Sequence, residues 1–359
     1  MSSNDLRHRA TANGAAAPLS SKDSTLDISA QDLDLPTLLD PASCTRKGLC
    51  PVTALRGAQP SESHSLYYEL HGRGPERVVL IMGLNGSFLG WMHQVHHLAR
   101  AVDEVGQPKY SVLVFDNRGV GNSGAPRGPY STSKMAEDVL VLLDSVGWEG
   151  PRGVHVVGVS LGGMIAQELA WRTPERIASL VLAVTTAGGP VWTNFPPWYG
   201  MYTLTRLLLM SDRAKKVPVI VEMLFAKEWL NALAEDDEKG RTNREVQHEE
   251  FLTRMLATRT QPALGALSQM VAGLTHNVQP ARLRTIASSI PYIVLVTGDE
   301  DHLVEPTNTD RLVRCMPGVE VLKWQQTGHA VQLQRVREFC SVIEKAVKEG
   351  RARCAEGAR

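Results

Sequence analysis

From residue 65 onward, short apolar runs alternate with segments in which apolar residues recur at helical spacing. Leu66-Tyr67-Tyr68-Glu69-Leu70 reads as a first strand, and Val78-Val79-Leu80-Ile81-Met82 as a strand buried on both faces. Phe88 to Val102 has helical spacing, and Val112-Leu113-Val114-Phe115 is the next buried strand. Met135, Val139, Leu142 and Val146 mark a helix over Lys134 to Val146, with Glu137 and Asp138 near its start. Val154 to Val159 reads as a strand, Leu161 to Trp171 as a helix and Leu180 to Val184 as a strand. Alternation of this kind predicts an α/β fold, a mostly parallel, doubly wound sheet with helices on both faces.

The alternation stops at Pro190 and resumes near Tyr292. Between them lie the aromatic stretch Trp192 to Tyr199, the apolar run Leu204 to Met210, helical patterns over Val219 to Leu233 and Glu249 to Leu256, and a charged connection from Glu235 to Arg244. This predicts a helical cap inserted into the sheet domain. Tyr292 to Val296, a helix near Thr309 to Cys315, a strand Val319 to Trp324 and a final helix from Val331 to Lys348 complete the pattern. The expected division is a disordered leader over 1–62, core over 63–189, cap over 190–282, core again over 283–349 and a tail over 350–359. The leader is rich in Ala, Ser, Asp and Pro without a period; Leu33 to Leu39 within it would dock on the domain or serve as a linear interaction segment.

The length, 359 residues, suits one α/β domain of about 250–300 residues carrying an insertion. Lys+Arg and Asp+Glu both number 38, and no basic block appears, so nothing points to nucleic acid. No apolar run is long enough to span a membrane, and Met1 to Ala30 lacks the apolar core of a secretory signal. Five scattered cysteines, Cys44, Cys50, Cys315, Cys340 and Cys354, form no disulfide framework and suit a reducing, cytoplasmic compartment. No C-x-x-C or histidine spacing supports a metal at Cys44 and Cys50.

The candidate chemistry centres on Gly158-Val159-Ser160-Leu161-Gly162, which closes a strand and opens a helix. Such a turn presents Ser160 at the carboxyl edge of the sheet, and a Cβ on either of the glycines, Gly158 or Gly162, would collide with the neighbouring strand or helix. A serine nucleophile needs a base and a group that orients the base. Gly298-Asp299-Glu300-Asp301-His302 and Gln325-Gln326-Thr327-Gly328-His329 each follow a strand on that edge. His329 is the candidate base and Asp301 the candidate acid, with Asp299 and Glu300 as alternatives beside it. The loop Thr185 to Pro190 offers no carboxylate. The amides of Leu161 and Leu84 are the candidate oxyanion donors, the second from the loop Gly83 to Trp91. Asp116-Asn117-Arg118-Gly119-Val120-Gly121-Asn122-Ser123 lacks a P-loop ending and a dinucleotide fingerprint; Asp116 and Arg118 read as residues that fix loops around the site. His276 could reach the site from the end of the cap.

Together Gly83 to Trp91, Asp116 to Ser123, Gly158 to Gly163, Gly298 to Val304 and Gly328-His329 resemble the α/β-hydrolase fold superfamily, over residues 65 to 348. The resemblance implies a Ser160–Asp301–His329 triad under a helical cap, needing neither cofactor nor metal. It implies a capped serine esterase or lipase-like enzyme acting on a small-molecule carboxylic ester, lipid-like or lactone, through an acyl-enzyme. An acyltransferase using the same triad and a non-enzymatic binding protein on the same fold are the alternatives. Met82 stands where many relatives carry histidine, and Ser160 where epoxide hydrolases and dehalogenases carry aspartate. The aromatic residues of the cap would line an apolar pocket, touch a membrane peripherally, or only pack the cap on the core; the sequence leaves these open.

Overall fold

A computed structural model describes residues 37–57, 63–235 and 237–357. Its elements in chain order are β1 (Cys44–Cys50), α1 (Val52–Leu55), β2 (Leu66–His71), β3 (Glu76–Ile81), α2 (Met92–Arg100), β4 (Tyr110–Phe115), α3 (Thr132–Ser145), β5 (Val154–Val159), α4 (Leu161–Arg172) and β6 (Ile177–Ala183). Then follow α5 (Trp198–Leu209), α6 (Arg213–Leu224), α7 (Lys227–Asn231), α8 (Asn243–Ala257), α9 (Ala263–Leu274) and α10 (Pro280–Ser289). The chain closes with β7 (Tyr292–Gly298), α11 (Asn308–Cys315), β8 (Glu320–Trp324), α12 (Val331–Gln334) and α13 (Val336–Gly357).

The eight strands form one sheet in the order β1-β2-β4-β3-β5-β6-β7-β8. β1 and β2 run antiparallel to their neighbours, and all pairings from β4 to β8 are parallel. Side-chain alternation divides the core. Val79, Ile81, Val154, Val156, Leu180 and Leu182 pack under α3, α4 and α10. Val78, Leu80, Val157, Val159, Val181 and Ala183 pack on the opposite face under α2 and α13. Both faces are covered, which is why these strands read as unbroken apolar runs. β3 is followed by a strand on one side of it and, after α3, by β5 on the other. The order therefore reverses between β3 and β5, and a crevice opens beyond their carboxyl ends.

Between β6 and β7 the described residues make six α-helices, two better formed than their sequence pattern suggests. Trp198 and Tyr199 begin α5 instead of belonging to a loop. α8 starts at Asn243, behind a capping box in which Thr242 Oγ1 accepts from Glu245 N–H and Glu245 reaches back to Thr242 N–H. α9 has no counterpart in the expected helices. Val217, Val221, Phe225 and Leu230 build a separate apolar cluster that closes on Ala330 and Leu333.

The ends of the chain correct two expectations. The leader expected over 1–62 contains β1, which pairs with β2 from Cys44↔His71 to Cys50↔Leu66, and α1. β1 is an edge strand with only Gly48 and Cys50 buried, so it carries no apolar run to announce it. Most of Leu33 to Leu39 lies outside the described residues; Leu39 itself packs on the core. The tail expected over 350–359 is, as far as Gly357, the last part of α13, with Gly350 against the backbone of Ala178.

Candidate active site

β5 ends against α4 at Ser160, whose backbone has φ 55 and ψ −123. A non-glycine residue at positive φ is strained by roughly 1–3 kcal/mol, and here the surroundings hold it. Ser160 N–H donates to Ala183 O at 2.9 Å, and Ser160 O accepts from Gly163 N–H at 2.9 Å and Thr185 Oγ1 at 2.8 Å. A side chain on Gly158 would strike the carbonyl of Gly162, and one on Gly162 would strike the carbonyl of Ile81. The first amide of α4, that of Leu161, has no acceptor within its own helix and lies at the positive end of the helix dipole.

The loop after β3 runs directly against this turn. A Cβ on Gly83 would stand 3.0 Å from Ser160 Cβ and 3.6 Å from Ser160 Oγ, so the backbone at Gly83 borders the hydroxyl. Met82, the departure from many relatives, fills the space beneath: side chains on Gly86 or Gly90 would meet its Cγ or Cε. Met82 O accepts from Asn117 Nδ2 at 2.9 Å. Asn85 N–H donates to Gln269 Oε1 at 2.8 Å, while Gln269 Nε2 donates to Arg118 O at 2.8 Å. Gln269, on α9, thus joins the two loops that flank the site. Sequence reasoning missed it, because a lone glutamine in an unrecognised helix gives no signal.

Asp116 accepts from Phe88 N–H at 3.0 Å and from Asn122 N–H at 2.9 Å. Arg118 forks onto Asp138 with two bonds of 2.7 Å, and His64 Nε2 lies 3.1 Å from the same carboxylate. Both residues fix loops, as their position at the end of β4 suggests.

Asp301 and His329 meet across the ends of β7 and β8. His329 Nδ1 lies 2.7 Å from Asp301 Oδ2; an ionised carboxylate only accepts, so Nδ1 carries the proton and Nε2 is left as the acceptor. Asp301 Oδ1 accepts from Leu303 N–H at 2.8 Å and Val304 N–H at 2.9 Å. Both side chains are buried. Asp299 is occupied elsewhere, accepting from Thr327 N–H at 3.1 Å, so the carboxylate turned to the imidazole is that of Asp301. Ser160 Oγ makes no hydrogen bond to the ring among the described residues; bonds of this type commonly tighten only when substrate is present.

The histidine loop is fastened by Gln334, another residue the sequence did not announce. Its Oε1 accepts from Gly328 N–H at 2.9 Å and Ala226 N–H at 3.3 Å, and its Nε2 donates to Gln326 O at 2.6 Å. His276 is buried beside α3, with Nδ1 2.9 Å from Thr132 Oγ1. Burial pushes it down to about 4, so it is neutral, and among the described residues it makes no hydrogen bond to Ser160, Asp301 or His329. Cys44, Glu69 and His71 bring three metal-ligating atoms within 4.8 Å of one another. Their bonding is already internal: Glu69 accepts from Tyr67 Oη and Thr37 Oγ1, both at 2.6 Å, and lies 2.9 Å from His71 Nε2. All five cysteines are free.

A family model described as alpha/beta hydrolase fold matches residues 76–336. A Caulobacter segnis protein named "Putative carbamate hydrolase RutD" is 27% identical over 81% of this chain and 96% of its own length. Another of that name, from Azorhizobium caulinodans, is 38% identical over 33% of the chain; the match spans only 40% of that relative. The dihydrolipoyllysine-residue acetyltransferase component of an acetoin cleaving system from Cupriavidus necator is 25% identical over 77% of the chain and 65% of its own length. Among solved structures, a hydrolase from Pseudomonas aeruginosa superposes with a TM-score of 0.63 at 22% identity, covering 84% of this chain and 98% of that one. The enol-lactonase of Burkholderia xenovorans gives the same score at 20% identity, over 80% and 97%. At these identities the structures speak for the fold alone.

Proposed function

The chain belongs to the α/β-hydrolase fold family, and on that premise we propose that it is a serine hydrolase cleaving a carboxylic ester, lipid-like or lactone, through an acyl-enzyme. The observation that carries this reading is the 2.7 Å Asp301–His329 hydrogen bond, on the same sheet edge as a serine held in a strained turn. Ser160 Oγ attacks the carbonyl carbon while His329 Nε2 takes its proton; Asp301 holds the ring in the tautomer that leaves Nε2 basic. The amides of Leu84 and Leu161 donate to the oxyanion. His329 then protonates the departing alcohol, the acyl-enzyme forms, and His329 removes a proton from water to release the acid. The helices between β6 and β7 act as the cap. Neither metal nor organic cofactor enters these steps.

A carbamate substrate is a second reading, favoured by the name of the Caulobacter segnis relative. The same nucleophile would attack a carbonyl flanked by nitrogen, and ammonia or amine release separates it from ester cleavage. Transfer of the acyl group to an alcohol or thiol would use the same intermediate. A fluorophosphonate probe tests what these share. Wild type should label and Ser160→Ala should not; equal labelling of both would remove Ser160 as nucleophile. Nitrophenyl esters of rising chain length, run beside a matched carbamate, then rank the substrates.

A further inference from the structure

α5 is an amphipathic helix turned inside out. Its only buried residues are Gly200 and Thr203, and Gly200 lies against the carbonyl of His302. The opposite stripe, Trp198, Tyr202 and Leu209, falls on one side at helical spacing and faces solvent; Trp198 is 78% and Leu209 83% exposed. Trp192, 75% exposed, and Phe195 precede it in the connecting turn. Of the exposed aromatic side chains among the described residues, all but Trp171 lie between Trp192 and Tyr202. A surface helix ordinarily turns its apolar stripe inward, and an apolar patch of this kind left outside marks an interaction site.

The charges say what kind of partner fits. From Thr185 to Ser211 the only charged residue is Arg206. The next turn adds Lys215 and Lys216 against one acid, Asp212, whose carboxylate caps α6 through Ala214 and Lys215 N–H, while Arg213 beside them donates to Met255 O and Thr258 O. A second copy of the chain meeting this face across a twofold axis would bring the cations together. Anionic headgroups would attract them, while the aromatic rings enter the headgroup–acyl boundary. Twelve residues make a helix of about 18 Å, too short to cross a bilayer and suited to lying in its plane.

We propose that the Trp192-to-Leu209 face of α5 and its preceding turn docks on an anionic phospholipid bilayer. Its base touches the proposed acid loop, since the Tyr199 ring packs edge-on against His302 at 5.0 Å, next to Asp301. The docking itself does not depend on the proposed chemistry.

Flotation of the full chain with vesicles tests this. Vesicles of phosphatidylcholine with about 30% phosphatidylserine should carry the protein upward, and phosphatidylcholine alone should carry much less. Trp198→Ser/Leu209→Ser should reduce binding at least about tenfold; Lys215→Gln/Lys216→Gln should do so about tenfold in low salt. Circular dichroism checks that both variants fold, and the lysine variant keeps the test open if the apolar one does not. Unchanged labelling by a fluorophosphonate in solution would separate lost docking from lost chemistry. Absence of wild-type flotation, or equal flotation of wild type and both folded variants, overturns the proposal. So does light scattering that shows a dimer dissolved by Trp198→Ser/Leu209→Ser, because a second copy then covers the face.

Discussion

Burial pushes the Asp116 carboxyl up to about 7, although Phe88 and Asn122 amides donate to it and pull the other way. The ordinary value in the unfolded chain is 3.8, so between these limits the folded protein binds the extra proton. The group's contribution to stability is present in full below 3.8 and is lost as pH rises through about 7. Asp116→Asn should remove that dependence. It should also lower stability by about 1–3 kcal/mol, because an amide cannot accept from both backbone donors and leaves one facing its own NH₂. Urea unfolding of both proteins at pH 5 and pH 8 checks this: wild type should lose more stability than the variant over that step, and parallel losses would sink the idea. The role of Asp116 as a loop anchor was readable from its place after a strand. Asp301 was named from the sequence with Asp299 and Glu300 as alternatives beside it, and those neighbouring carboxylates part company only in the folded loop, where His329 Nδ1 meets Asp301 Oδ2. Gln269 and Gln334 were invisible for another reason: an uncharged amide acquires its meaning from the backbone groups it finds.

Elements with a strong period were legible and weakly patterned ones were not. The turn at Ser160 announces itself because only small residues fit between β3, β5 and α4, and that constraint can be measured. Gly162→Ala would drive a methyl into the carbonyls of Ile81 and Met82, so about 1–3 kcal/mol of destabilisation is expected, with slower labelling by the fluorophosphonate. Gly150→Ala, where a Cβ meets nothing within 4 Å, should change stability by less than about 0.5 kcal/mol. Thermal melts of the pair decide the matter; similar values would mean that the turn tolerates bulk and that its glycines are not required by packing. β1 escaped notice because Cys44–Cys50 is half exposed and polar on one edge of the sheet. α9 escaped because its apolar positions are interrupted by Gly265, Ser268, Gln269 and Gly273, of which Gly265, Ser268 and Gln269 face inward.

For the whole molecule, the overlooked strand has a mechanical duty. β1 covers the outer edge of β2 from Leu66 to His71, and an uncovered strand edge is a template for pairing with other chains. Removal of residues up to Gly57 should therefore lower the melting temperature and bring on association visible by light scattering. A truncated chain that stays monomeric with an unchanged melt would show that β1 is dispensable. The parallel sheet and the placement of loops at its carboxyl edge followed from alternation; the reversal between β3 and β5 did not, because alternation does not fix the order of strands. How the insertion is anchored did not, and the anchoring is lopsided. Ser160 is gripped by β6 and α4, whereas the backbone beside His329 is tied to the insertion, with Ala330 N–H donating to Leu224 O at 3.0 Å and Gln334 bridging to Ala226. The nucleophile is thus bolted to the chassis and the base to the hood, so lifting α6 to admit or release a molecule would tug on the imidazole and leave the hydroxyl where it stands.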